Sequence, residues 1–249
     1  RMLRLVSYRL HTAKHAATQI GLFFPKPASP LSSSEGAIVN IQEILRDAPQ
    51  DMNHLIENHK EIIPSLLSFA QSNKFSEGKV QILQRSEVSL LSPIPLPRRN
   101  VMCVGKNYKD HIAEVAKADK SHGIGTTSSP AVELPKYPQF FTKAPNSVIG
   151  PEEKIESHAE ITKWLDYEVE LAVVIGKKGR DLTADNAKDH IFGFSVANDV
   201  TARDIQRHHG QWFKGKTLDA TCPLGPWIVY NDGSFDAQSI DVRLWVNGE

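Results

Sequence analysis

The segment Asp166-Tyr167-Glu168-Val169-Glu170-Leu171-Ala172-Val173-Val174-Ile175 decides how the rest of this chain is read. Aliphatic and β-branched residues running into a Gly176-Lys177-Lys178-Gly179 turn predict a strand over Tyr167 to Ile175. Its pleat puts Tyr167, Val169, Leu171, Val173 and Ile175 on one face and Glu168, Glu170, Ala172 and Val174 on the other. Beyond Glu170 both faces are apolar, as in a strand inside a sheet. Two glutamates adjacent on a half-buried face lose hydration and repel each other, which is unfavourable unless a cation or protons compensate. A divalent cation would do so; the spacing equally allows a solvent-facing pair at the wet start of an edge strand.

Outward from this strand, Gly193 to Asp199 reads as a second strand whose end presents a third carboxylate, Asp199. An all-oxygen set of Glu168, Glu170 and Asp199 suits Mg²⁺ or Mn²⁺, with Ca²⁺ as a further option, better than Zn²⁺. A helix is predicted from Thr201 to His209, with Thr201 and Asp204 as a capping-box-like start. Arg203, Gln206 and Arg207 share one side of it. Lys143 closes a predicted strand, Gln139 to Lys143, and is a second cation for the same place. Upstream, Val101 to Val104 reads as a buried strand and Asn107 as the N-cap of a helix running to Lys117. On that helix His111 and Glu114 share a face: either a carboxylate orients an imidazole base, or the two are a surface pair.

One motif misleads. Gly210-Gln211-Trp212-Phe213-Lys214-Gly215-Lys216-Thr217 matches a P-loop letter for letter. It follows a helix where a P-loop must follow a strand, and Trp212 and Phe213 are too bulky for a phosphate cradle.

Composition narrows the class. The chain has 249 residues with 29 basic and 29 acidic side chains, so no excess of positive charge marks a nucleic-acid or anionic-membrane surface. No apolar stretch approaches the roughly 18 residues of a spanning helix. The two cysteines, Cys103 in a buried strand and Cys222, lack paired spacing and read as reduced thiols. Arg1, Arg4, Arg9, Lys14 and Lys26 precede any acid before Glu35, a feature of mitochondrial presequences; short strands at Leu3 to Val6, Ile20 to Phe24 and Ile38 to Ile41 account for the same residues structurally.

The organisation predicted is α+β. Residues 1–92 form a small N-terminal α+β domain with a helical stretch over Asp51 to Gln71, residues 93–98 a Pro-rich linker, and residues 99–249 the metal-dependent domain. Further strands are expected near Trp227 to Tyr230 and Val242 to Val246.

Together, Val104-Gly105-Lys106-Asn107-Tyr108 through His111, Phe141-Thr142-Lys143, the 166–177 strand, Asn198-Asp199-Val200-Thr201-Ala202-Arg203-Asp204, and Gly215-Lys216-Thr217 with Cys222-Pro223-Leu224-Gly225-Pro226 resemble the fumarylacetoacetate hydrolase family, in particular its domain-containing protein 2 branch. The resemblance implies a mixed β-sheet roll and a homodimer. It implies Mg²⁺ or Mn²⁺ on Glu168, Glu170 and Asp199, and a catalytic His111–Glu114 dyad with Lys216. Lys143, Arg203 and Gln206 would hold an anionic β-keto acid. The branch implies oxaloacetate keto-enol tautomerisation in mitochondria, otherwise in the cytoplasm. C–C hydrolysis and oxaloacetate decarboxylation use the same cation-stabilised enolate and remain alternatives. The family continues past Glu249 into strands and a Thr-Gly-Thr-Pro loop, so an unfinished catalytic domain, and even an inactive metal-stabilised one, is a further expectation.

Overall fold

A computed structural model describes residues 2–11, 17–26, 35–72, 78–108, 135–234 and 236–249. The expected front strands are present as β1 (Arg4–Leu10), β2 (Gln19–Pro25) and β3 (Gly36–Asn40). They form an antiparallel meander with Leu5 opposite Leu22 and Leu22 opposite Val39. Alternation along β1 sends Leu3 and Leu5 to one face of the sheet and Val6 and Tyr8 to the other, and all four are buried.

The first face is covered by α1 (Met52–Glu57) and α2 (His59–Gln71). The predicted single helical stretch is thus two helices. Asp51 caps α1 by accepting the His54 N–H at 2.8 Å. The break falls at Asn58, which leaves helical geometry at φ −107°, ψ 20°. Leu55, Ile63, Leu66 and Phe69 pack against Leu3, Leu5, Leu22 and Val39, and Phe192 and Ile228 from the second half of the chain complete that cluster. The opposite face carries a smaller cluster of Val6, Tyr8, Phe23, Ile38 and Leu90, flanked by Trp227 stacked on Phe23 at 5.0 Å.

After the short β4 (Leu83–Gln84) and β5 (Val88–Leu90), the chain makes a hairpin of β6 (Val101–Gly105) and β7 (Gln139–Lys143), with Val101 opposite Lys143. Then come β8 (Val148–Ile149), β9 (Leu165–Asp166), β10 (Val169–Ile175), α3 (Ala184–Ala187), β11 (Ile191–Asn198), β12 (Thr201–Ala202), α4 (Arg203–His208), α5 (Phe213–Lys216) and β13 (Cys222–Tyr230). Nine of these strands form one sheet whose path runs β10-β11-β13-β1-β2-β3-β4, with β5 on β1 and β8 on β13. Strands from before and after the Pro-rich segment 93–98 therefore share hydrogen bonds: Arg4 pairs with Val229 and Leu5 with Ile228. The architecture is α+β, with helices on a largely antiparallel sheet.

Several expectations need correction. The carboxylate strand begins at Val169, because the backbone turns at Tyr167–Glu168 and β9 pairs elsewhere, with β12. Among the described residues it is the last strand on the sheet path and not an interior one, and Val173 and Ile175 are 46% and 61% exposed. β6 is not buried: Met102 is 65% exposed and Cys103 only partly covered. Thr201 and Ala202 form β12 and do not start a helix. No strand forms at Val242 to Val246, which is exposed and irregular. The expected helix over Asn107 to Lys117 falls outside the described residues from residue 109 onward. Among the described residues no helix is long and apolar enough to cross a membrane.

Candidate active site

Four chain segments converge on Glu168. β10 and β11 pair antiparallel with Val169 opposite Asn198, so the residues just outside that last pair, Glu168 and Asp199, face each other. The Asp199 N–H donates to the Glu168 carbonyl at 2.7 Å, and the Glu168 N–H to Asn198 Oδ1 at 3.0 Å. Both acids are buried at 7% and 6% exposure. The predicted convergence of Glu168 and Asp199 is present, carried by a backbone pair and not by a continuous strand.

Lys216 lies between the two carboxylates. Its Nζ donates to Asp199 Oδ2 at 2.7 Å and to Glu168 Oε2, and sits 4.8 Å from the centre of the Phe141 ring. Lys143, 1% exposed, donates to the Val200 carbonyl at 3.0 Å and stands 3.0 Å from Asp199 Oδ1. That contact is an ion pair without hydrogen-bond alignment, so Asp199 Oδ1 is buried without an aligned donor. Arg203 donates through Nη2 to Glu168 Oε1 at 2.7 Å, through Nε to Asp166 Oδ2 at 2.8 Å and through Nη1 to Gln206 Oε1 at 3.1 Å.

Glu170 is different. Among the described residues no ammonium or guanidinium makes an ion pair with it; the Tyr108 hydroxyl, which also accepts the Leu171 N–H at 3.4 Å, is its hydrogen-bond partner. Burial, then the negative charges of Asp199 and Glu168, push its carboxyl up to about 7. Four carboxylates (Asp166, Glu168, Glu170, Asp199) thus face three cations (Lys143, Arg203, Lys216), leaving an excess of negative charge where an Asp oxygen lacks a donor.

That surplus and the hard-oxygen donor set fit a divalent cation chemically. The carboxylates do not close on an empty centre: Glu168 and Asp199 converge on the Lys216 ammonium, and among the described residues no three acid, His or Cys side chains are gathered tightly enough to hold a metal as they stand. Ionisation of the two cysteine thiols is disfavoured. Burial, with the Asp199 charge adding, raises Cys103 to about 12 and Cys222 to about 11.

Of the residues expected at the site, Glu168, Glu170, Asp199, Lys143, Lys216, Arg203 and Gln206 lie together, while His111 and Glu114 fall outside the described residues. Sequence reading missed Thr201, whose fully buried hydroxyl reaches Glu168 Oε2 and the Asp199 carbonyl, both at 2.8 Å. It also missed Asp166, although Asp166, Glu168 and Glu170 are spaced by twos. Asp204, read as the partner of Thr201 in a cap, instead accepts from Thr162 Oγ1 at 2.5 Å and from the Lys163 N–H at 2.9 Å.

The P-loop-like string has a different task. A Cβ on Gly215 would stand 2.7 Å from the Gln206 nitrogen and 2.9 Å from the Ala202 carbonyl oxygen, whereas one on Gly210 would meet nothing within 4 Å. Gly215 lets α5 press against α4 and β12, which delivers Lys216 to the carboxylates. A Gly215→Ala chain is therefore expected to lose roughly 1–3 kcal/mol of stability in urea unfolding and most of its activity, while Gly210→Ala changes neither. Equal effects of the two would refute this division.

Known proteins resemble this chain in sequence and in fold. The family model described as the C-terminal domain of fumarylacetoacetate (FAA) hydrolase matches residues 100–249. Oxaloacetate tautomerase YisK of Bacillus subtilis is 44% identical over 164 residues, 66% of this chain and 50% of that protein. Mitochondrial oxaloacetate tautomerase FAHD2A of Homo sapiens is 37% identical over 216 residues, 86% of this chain and 62% of that protein. Among solved structures, a fumarylacetoacetate hydrolase from psychrophilic Exiguobacterium antarcticum superposes with a TM-score of 0.66 at 36% identity, covering 94% of this chain and 68% of its own. The chain thus spans half to under two thirds of the length of these curated relatives.

Proposed function

Because the chain belongs to the fumarylacetoacetate hydrolase family, we propose that it acts on β-keto acids with a bound divalent cation, Mg²⁺ or Mn²⁺, as an oxaloacetate keto-enol tautomerase. Support comes from relatives that carry that name and from the buried acidic cluster, in which Asp199 Oδ1 has an ion pair with Lys143 but no aligned hydrogen-bond donor. Glu168, Glu170 and Asp199 would hold the cation, which when bound supplies a Lewis-acid centre for the substrate's oxygens.

The chain's own residues do the rest. Lys216, held by two carboxylates beside the Phe141 ring, would supply an ammonium to the oxygen on which negative charge grows. Lys143 and Gln206 add donors for the substrate's carboxylates. Proton transfer at the carbon between the carbonyls is assigned to His111, oriented by Glu114, on the strength of the family resemblance alone. The assembly proposed is a homodimer, supported by the exposed Val173, Ile175 and Val196. A mitochondrial setting is supported by the human relative's name.

The decisive experiment follows the ultraviolet decay of enol-oxaloacetate with Mg²⁺ and with EDTA. Expected is a Mg²⁺-dependent acceleration with no pyruvate formed. Pyruvate release would mark decarboxylation instead, and a rate indifferent to EDTA would sink the metal-dependent reading.

A further inference from the structure

We propose that Trp212 is a positioning residue: its indole, seated on the backbone of Gly105, sets the spacing between the β6–β7 hairpin and α5 and so places Lys143 and Lys216 on either side of Asp199. The placement stands on geometry; its consequence for turnover rests on the functional reading above.

The hairpin has two unlike faces. Val101 lies opposite Lys143, Cys103 opposite Phe141 and Gly105 opposite Gln139, so these pairs share one face, while Met102, Val104, Phe140 and Thr142 share the other. Met102 and Phe140 are each 65% exposed, which marks the second face as the outer one. The inner face turns Lys143 toward Asp199 and Phe141 toward Lys216, and has a gap at Gly105. That gap is filled from another segment. A Cβ on Gly105 would stand 2.4 Å from Cζ3 and 3.1 Å from Cη2 of Trp212, so the indole rests directly on the strand. Gly105 is buried although it has no side chain of its own.

From that seat Trp212 reaches Lys216 by two routes. Its carbonyl accepts the Lys216 N–H at 3.1 Å, which closes the single turn of α5. Its ring meets Phe141 edge to face, with 5.6 Å between centres at 68°, and the Phe141 ring centre lies 4.8 Å from Lys216 Nζ.

The other end of α5 is tied to the hairpin by Thr217, whose hydroxyl accepts the Ala144 N–H at 3.2 Å and donates to the Thr142 carbonyl at 3.4 Å. Those bonds fix one end of α5 against the hairpin, and Trp212 fixes the other. Both cations depend on this spacing. Lys143 comes from the hairpin and stands 3.0 Å from Asp199 Oδ1, whereas Lys216 comes from α5 and donates to Asp199 Oδ2 at 2.7 Å. The bulk of Trp212, which spoils the P-loop reading of residues 210–217, is what the fold requires at this position.

The test is a rescue between the two contacting positions. Gly105→Ala drives a methyl group into the indole and is expected to lower the melting point by roughly 2–12 °C and kcat for enol-oxaloacetate with Mg²⁺ by about a hundredfold. KM is expected to stay within about twofold, because an ammonium that acts on developing charge serves the transition state and not substrate binding. Trp212→Phe takes away the far ring carbons that lie over Gly105 and keeps an aromatic ring beside Phe141. In that background Gly105→Ala is expected to lower neither quantity further, so the double variant should match Trp212→Phe within about twofold in kcat. Equal losses from Gly105→Ala in both backgrounds would overturn the proposal. So would a rescued melting point without rescued kcat, the mark of a contact that only fills space. Should the wild-type chain show no turnover, the functional reading falls, and a melting-point cycle of Trp212→Phe with Lys216→Met decides the placement: non-additive losses uphold it and additive losses refute it.

Discussion

A Lys216→Met chain is expected to lose tautomerase turnover by roughly a hundred- to a thousandfold, the loss seen when one preorganised donor is taken from a site of developing charge. The methionine keeps the length and the contact with Phe141 but carries no charge. Without metal the change also leaves Glu168 and Asp199 buried and facing each other, since the ammonium that joins them is gone. Breaking such a buried pair costs roughly 3–5 kcal/mol. A cation that enters between the same oxygens would restore much of this. The expected signature is therefore paired: catalysis collapses, while the rise in melting temperature on adding Mg²⁺ becomes larger in Lys216→Met than in wild type. A smaller rise would mean that Lys216 and the cation do not share those oxygens.

Glu170→Gln is expected to have the opposite balance. Glu170 is the acid in the cluster with no cation of its own, and its neighbours Asp199 and Glu168 oppose its ionisation. Making it neutral relieves that repulsion, so the metal-free chain should melt higher, by roughly 2–4 °C for each kcal/mol relieved. The same change removes one of the three charged oxygen ligands proposed for the cation. Mn²⁺ affinity, which follows ligand charge, should fall by on the order of a hundredfold, and turnover at limiting metal should fall with it. Differential scanning calorimetry in EDTA and Mn²⁺ titration check the two halves. A destabilised metal-free Glu170→Gln chain would show that Glu170 is held by favourable contacts and is not a ligand kept waiting.

Much of this was legible beforehand because it is local. Short apolar runs exposed β1, β2 and β3, and apolar residues at helical spacing marked the stretch that holds α1 and α2. Glu168, Glu170 and Asp199 stood out because charge on an otherwise apolar strand has few physical reasons to exist. What stayed hidden is non-local or very short. Thr201 looked like a helix cap since Ser and Thr serve caps and carboxylates alike, and a two-residue strand such as β12 has no period to read. Asp166 drew no role because nothing nearby announces a guanidinium 37 residues later in the chain. β10 read as interior because apolar residues on both faces mark burial by any partner, and the place of a strand in a sheet is decided by distant segments.

The pairing of β1 with β13 bears on how the molecule comes to exist. Residues near the start of the chain lie against residues more than two hundred positions later, Leu5 beside Ile228. Closing so long a loop is entropically costly before any contact rewards it, and folds dominated by such contacts form slowly. On a ribosome, β1, β2, β3 and β5 can assemble early, but the Arg4–Leu5 part of the β1 edge stays open until β13 emerges, and the cluster around Phe192 and Ile228 waits for the same event. A nascent chain is thus half sheet and half unpaired template for most of its synthesis, a condition that invites wrong partners. Refolding that succeeds best at low concentration is the expected biosynthetic consequence of pairing β1 with a strand so far along the chain.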